Sequence, residues 1–301
     1  MRDIKFNNLY KSLSYVSSAL ILISILLLIF KGLNFGVDFK GGTLIEVRTT
    51  EDKANITVIR DSFNQMNLGD VTVKNFGNNT DFIVKFEMKN SSDPEFIENI
   101  KKKLSNSIGN NFTFRRVENV GPKVSKELLN SGVIAIIASL FAMLFYIWIR
   151  FEWQFSLGAI VALFHDVILT LGIFSLFSLE INLSIVAAVL TIVGYSMNDT
   201  VVIFDRVREN LKKYFDRKIF DLTNQSINET LSRTIITSVT TLLALLSIYI
   251  FGGEILRGFS FAMILGVLIG TYSSIFVASP ILKTFKVSYK TLEKDEEKIV
   301  P

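Results

Sequence analysis

The sequence predicts a polytopic α-helical membrane protein, six transmembrane helices with one α+β domain inserted between the first and the second. Three observations lead there. Half of the 301 residues are hydrophobic and only 20% are charged, where a soluble domain carries about one quarter charged residues; the mean hydropathy is +0.41. Six stretches of 18 to 25 mainly apolar residues occur, at 13–30, 131–149, 155–177, 181–204, 234–251 and 258–282, and about 20 such residues cross a bilayer core as a helix. Between the first two lies a segment of 100 residues, 31–130, long enough to fold by itself. The absence of cysteine and the single histidine exclude a disulfide framework, iron–sulfur clusters, thiol catalysis and zinc sites built on several Cys or His ligands.

Residues 1–12 form a basic arm, with Arg2, Lys5 and Lys11. The apolar run that follows is longer than a signal-peptide core and has no small-x-small cleavage site after it, so a retained anchor is expected. In the inserted segment the hydrophobic period alternates between two and about 3.6. Ile45 and Val47 share one strand face, Ile56, Ile59, Phe63 and Met66 recur at helical spacing, Val71 and Val73 mark a second strand, and Phe82, Val84, Phe86 and Met88 a third. Asp93 and Pro94 read as an N-cap followed by proline at the first helical position, opening a helix with Ile97, Ile100, Leu104 and Ile108 on one face. Phe112 and Phe114 make the last strand. The order β-α-β-β-α-β is the ferredoxin-like split βαβ unit.

Orientation follows from the short connections. The arm, the turn at Arg150, the loop 205–233 and the tail 283–301 together carry 16 Lys and Arg, and the links on the opposite side carry only Arg257. Basic short loops stay cytoplasmic, so both termini and the loop 205–233 are expected there and the inserted domain outside. Trp148 and Trp153 flank the tight turn between spans two and three, as an interfacial belt would have them.

Soluble enzyme chemistry finds little support. The string GVDFKGGT at 36–43 has the glycine spacing of a phosphate loop but Gly42 where the lysine belongs, and reads as a tight turn feeding the first strand. A hydrolytic triad would need His165, inside a span and without a G-x-S-x-G string. The sharper signals are ionisable groups at depth, because a central Asp costs even on low insertion scales about 2.5–3.5 kcal/mol. Asp199 lies more than one turn below Asp205 and Arg206; it is either a coupling carboxylate or a polar kink whose side chain reaches the interface. Asp166 sits mid-span among Gly158, Ala159, Ala162 and Thr170, a small-residue surface suited to close packing. His165 is a candidate relay or a satisfied polar contact; successive residues diverge by about 100° on a helix, so the spacing predicts that His165 and Asp166 do not face one point. Arg233 opens span five and either reaches Asp199 or serves as a positive-inside anchor. Burial disfavours a charged carboxylate and a nearby guanidinium favours it, so a carboxylate between those influences can load and release protons. One charge moved through 100 mV releases about 2.3 kcal/mol. Gly266 and Gly270 form a G-x-x-x-G pair that promotes close helix contact and specifies no substrate. The basic stretch 206–218 reads as an amphipathic segment on anionic lipid or, with less support, a docking site.

Four blocks resemble one family: GVDFKGGT at 36–43, FHD at 164–166, VGYSMNDTVVIFDRVREN at 193–210 and SRTIITSVTTLL at 232–243. In that order, and over nearly the whole chain, they are similar to the SecF proteins of protein export. The resemblance implies half of a resistance-nodulation-division type transporter, completed by SecD, in the bacterial inner membrane with the inserted domain periplasmic. It implies a complex that uses the proton motive force late in preprotein export through the SecYEG channel, after the ATP-driven step of SecA, with a YidC-type insertase and YajC as further partners. Carried over by position, it assigns proton coupling to Asp199 and Arg233 and places Asp166 in an HD motif. Neither cofactor, metal nor nucleic acid is implied; the coupled ion is the proton, with sodium as the other candidate. Three other readings compete. A half-transporter for small molecules or lipid would normally have twelve spans and two larger outside domains. An intramembrane aspartyl protease using Asp166 and Asp199 would need two carboxylates sharing a proton and lacks the G-x-G-D string. A purely structural assembly factor would tolerate neutralisation of Asp199.

Overall fold

The computed structural model describes residues 4–50, 56–66, 68–76, 78–86, 94–108, 112–289 and 291. Six helical stretches in it are long and apolar enough to span a membrane, each nucleated where the sequence places an apolar run. The first is α1 (Tyr10–Phe30). A short strand β1 (Asn34–Phe35), a helical turn α2 (Val37–Lys40) and strand β2 (Gly42–Thr49) follow, so GVDFKGGT is the expected turn into the first long strand.

The inserted domain continues with α3 (Ile56–Asn64), β3 (Val71–Phe76), β4 (Asn78–Phe86), α4 (Pro94–Ile108) and β5 (Phe112–Val120). Its four strands order β3-β4-β2-β5, with every neighbouring pair antiparallel, which is the ferredoxin-like arrangement. The alternating apolar residues do what their period requires: Ile45, Val47, Phe82 and Val84 point to one face and are buried against Ile59 and Phe63 of α3 and Ile100 and Leu104 of α4. Asp93 and Met88 lie outside the described residues.

From Gly121 the chain enters α5 (Pro122–Arg150), nine residues before the expected start at 131. Proline at the first helical position, whose missing N–H costs nothing there, starts the helix before the apolar run begins. α6 (Trp153–Leu176) returns, β6 (Glu180–Ile181) pairs in parallel with β1, and α7 (Leu183–Lys213), α8 (Ile219–Phe251) and α9 (Gly253–Ser273) complete the bundle. A π-helical turn (Ser274–Ala278) then leads into α10 (Ser279–Thr284).

The expected loop 205–233 is a helical hairpin. α7 and α8 have 31 and 33 residues, about 46 and 50 Å at 1.5 Å per residue, against about 30 Å of hydrocarbon. Polar pairs hold the projecting ends together: Arg206 bonds Glu229 at 2.6 Å, and Asn210 donates to Ser226 at 2.9 Å and to Glu229 at 2.8 Å. A charge-rich stretch read as loop is therefore two helix ends whose charges pair across the hairpin.

The helices sort into two layers. In their most apolar windows 61%, 50% and 50% of the residues of α6, α7 and the α9–α10 stretch are buried, against 11%, 11% and 17% for the α1, α5 and α8 stretches. α6, α7 and α9 thus form the interior of the bundle, and α1, α5 and α8 present apolar flanks. At the end away from the inserted domain Phe151, Phe155 and Phe204 interlock, with Phe155 and Phe204 edge to face at 5.2 Å. Trp148 and Trp153 are exposed on either side of that turn.

Candidate functional site

The two interior carboxylates come from different helices and have different partners. Asp166 on α6 is 0% exposed. Its Oδ2 accepts from Ser196 Oγ of α7 at 2.5 Å and from Ser273 Oγ of α9 at 2.8 Å, while Oδ1 lies 2.9 Å from His165 Nδ1. One buried group is thereby the joint of all three interior helices. A carboxylate taken out of water persists only where donors replace its hydration, and here two hydroxyls and an imidazole do so.

The His165 contact corrects the expectation from spacing. The two Cα–Cβ bonds diverge, but both side chains are long enough for their torsions to bring ring and carboxylate together inside the close-packed interior. The imidazole also stacks on Tyr272 of α9, centroids 6.0 Å apart, and the Tyr272 hydroxyl donates to Leu13 O at 3.2 Å and bonds Ser17 Oγ at 2.7 Å. This ties α1 to the same node. His165 Nε2 is buried and has no hydrogen-bond partner among the described residues.

Asp199 on α7 is 4% exposed. Thr271 Oγ1 of α9 donates to its Oδ2 at 3.4 Å, and the same hydroxyl bonds Ser238 Oγ of α8 at 2.9 Å. Arg233 of α8 is exposed, and no ion pair within 4.0 Å joins it to Asp199 among the described residues. Spans four and five pack together, but the direct partner of Asp199 is a hydroxyl on span six. Asp166 and Asp199 bond to separate donors, so the shared-proton geometry of an aspartyl protease is not what the described contacts form.

The small-residue pair on α9 builds this site. A Cβ on Gly266 would lie 2.2 Å from Ile192 Cγ1, and one on Gly270 would lie 2.9 Å from Ser196 Cβ. Only glycine lets α9 approach α7 so closely, and that approach brings Thr271 and Ser273 to Asp199 and Asp166. Ser196, Thr271, Ser273 and Ser238 were not singled out from sequence. The available signal was a hydroxyl run, Thr271 to Ser274, directly after a G-x-x-x-G pair in an apolar span.

At the opposite end, Asp38 from GVDFKGGT accepts from Leu183 N, the first residue of α7, at 2.9 Å, and Asn182 Oδ1 accepts from Ile185 N at 3.1 Å. Lys85 of β4 pairs with Glu180. The helix carrying Asp199 is thus capped in part by the stalk of the inserted domain.

With this arrangement in view, comparison with known proteins is direct. The family model described as protein export membrane protein SecD/SecF, C-terminal, matches residues 100–288, and the SecD/SecF GG motif matches residues 26–53. The chain belongs to the SecF family. Protein translocase subunit SecF of Rickettsia bellii is 47% identical over 94% of this chain and 93% of its own length, and that of Rickettsia akari is 45% identical over 97% and 96%. Among solved structures, SecDF of Thermus thermophilus, a translocon-associated membrane protein, is 34% identical with a TM-score of 0.84, over 94% of this chain and 39% of that one. SecDF in a super-membrane-facing form is 33% identical with a TM-score of 0.69, over 99% and 40%. The chain thus spans about two fifths of the SecDF chains it matches, as one half of a fused SecD–SecF pair would. The SecF match covers the inserted domain and all six spans together.

Proposed function

We propose that the chain is the SecF subunit of a SecD–SecF complex that uses the proton motive force to promote the late stage of preprotein export through the SecYEG channel, after the step driven by SecA. It is an accessory subunit of a translocase rather than an enzyme. The observation that carries the reading is Asp199: a carboxylate 4% exposed in a transmembrane helix and bonded, among the described residues, by one hydroxyl, within a chain of a family of translocase subunits.

Membership of that family supports SecD as the partner. The apolar flanks of α1, α5 and α8, with Phe30, Phe141 and Ile236 at least 60% exposed, suit contact with lipid and with a second helical half. The skew of Lys and Arg to one set of connections supports an inner-membrane location with both termini cytoplasmic and the ferredoxin-like domain periplasmic. Protons are the coupled ion in this reading and Na+ is the alternative. A YidC-type insertase and YajC are further partners.

The reading is tested in inverted membrane vesicles from cells depleted of SecD and SecF, resupplied with this chain and its SecD. Restored protection of a preprotein from added protease, larger with the proton gradient than after an uncoupler, is the expected outcome. Export that is indifferent to the chain contradicts it.

A further inference from the structure

Ser238 behaves unlike the hydroxyls around it. On α8, Thr237, Thr240 and Thr241 each donate to the carbonyl four residues earlier, at 3.0, 2.8 and 2.8 Å. Ser238 is 6% exposed and instead turns across the helix interface to Thr271 of α9. Thr271 is in turn the hydroxyl that donates to Asp199.

A hydroxyl has one proton and can donate in one direction at a time. While Asp199 is ionised it accepts only, so Thr271 must point its proton at Asp199 and accept from Ser238. When Asp199 is protonated its own O–H can donate to Thr271, whose proton is then free to turn towards Ser238. Ser238, now an acceptor, has its proton released, and the carbonyl of Thr234, one turn earlier on α8, is the acceptor that its neighbours' pattern supplies. Back-bonding of this kind bends helices, and Thr234 directly follows Arg233. No proton leaves either hydroxyl in this sequence; only bond directions reverse.

From this geometry we infer that Thr271 and Ser238 are positioning residues for the coupling step, reporting the protonation state of Asp199 to α8 through the direction of two hydrogen bonds. The inference rests on the coupling role proposed for Asp199. In the apolar parts of the packed helices the other charged or titratable groups are Arg233 and Tyr249 on α8, His165 and Asp166 on α6, Tyr195 on α7 and Tyr272 on α9; α7 and α8 carry further charges in their projecting hairpin, Arg206 and Glu229 among them, and α9 carries Arg257 near its start. Tyr195 donates to Thr241 at 3.4 Å and Tyr272 to Leu13, so neither competes for the Asp199 hydroxyl partner. At the C-terminal end of α5, Arg150 pairs with Asp205 of α7.

The test uses the complex with SecD in inverted vesicles, measuring gradient-dependent export per assembled complex across a pH series. Thr271→Val keeps the shape and removes the hydroxyl; Thr271→Ser restores it; Ser238→Ala breaks the second link without touching the first. We expect Thr271→Val to lose at least tenfold of the gradient-dependent increment or to move its pH midpoint by more than half a unit, with Thr271→Ser returning to wild type. Ser238→Ala should keep the midpoint within half a unit of wild type and reduce the increment. A purely structural role would lower the amount of complex and leave the increment per complex and its pH profile unchanged, which overturns the inference. Asp199→Asn run alongside separates the two claims. If that variant keeps the full increment, the coupling reading fails and this inference with it; if it loses the increment while Thr271→Val and Ser238→Ala both match wild type, only this inference fails.

Discussion

Asp166 and Asp199 are both acidic, both buried and both in apolar helices, yet their surroundings assign them different work. Asp166 takes hydrogen bonds from Ser196 and Ser273 and pairs with His165, so removing its oxygens strands buried donors on three helices. A buried polar group left unsatisfied costs about 1–3 kcal/mol. Asp166→Ala is therefore expected to lower the thermal midpoint of the detergent-solubilised complex well beyond Asp166→Asn, which keeps one acceptor oxygen; equal midpoints would show that the node is not structural. Asp199 accepts from one hydroxyl among the described residues, so its neutralisation strands fewer donors and should affect coupling more than folding. Both residues were legible in the sequence, because an ionisable group in a span announces itself by its cost. Their hydroxyl partners were not, because Ser and Thr are common in membrane helices and satisfy themselves on their own backbone unless a neighbouring helix comes close. His165 was misjudged for a related reason: spacing fixes where a Cβ starts and not where a flexible side chain ends.

Single elements connect the bundle and the inserted domain. α7 begins under two caps, Asn182 directly before it and Asp38 from the GVDFKGGT turn, and runs unbroken past Asp199 to the hairpin at Lys213. Capping side chains contribute roughly 0.5–2 kcal/mol. Asp38→Ala should accelerate amide hydrogen exchange over residues 183–186 severalfold while leaving the middle of α7 protected; no change there would make Asp38 irrelevant to the helix. In the inserted domain, Arg48 bonds Asp81 with both donors across β2 and β4, and its guanidinium holds the Asp81 carboxyl below its usual value. A carboxyl lowered in the folded state adds stability that is complete above its unfolded value of about 3.9 and is lost as the pH falls through the lower folded value. Exchange protection of β2 and β4 should accordingly fall on acidification below about pH 4, and Asp81→Asn should weaken protection at neutral pH and flatten that acid dependence. A variant with the wild-type acid profile would remove the pair from the account. Strand and helix order in this domain was legible because its apolar residues follow clean periods of 2 and 3.6. The hairpin at 205–233 was not, because charges that pair across two helices look in sequence like the charges of a solvated loop.

Across the whole molecule, three interior helices carry the polar node and three outer helices carry apolar flanks, an arrangement suited to one half of a two-part membrane machine. The interior helices were distinguishable in sequence by the acidic residues that two of them carry and the glycine pair on the third, whereas which flank meets lipid and which meets SecD is set by a second chain that this sequence does not encode. The inserted domain and the interior meet through the stalk at residues 31–42, where Asp38 reaches α7, and through Lys85 of β4, which reaches Glu180, and α7 runs unbroken from that contact to Asp199. The measurement that tests this most directly compares wild type with Asp199→Asn, each assembled with SecD in inverted vesicles supplied with ATP, with the proton gradient intact or collapsed. The account predicts that the variant assembles normally, keeps ATP-driven export and loses the gradient-dependent increment. A variant that assembles and responds to the gradient as wild type does would contradict it and move the coupling to SecD or elsewhere.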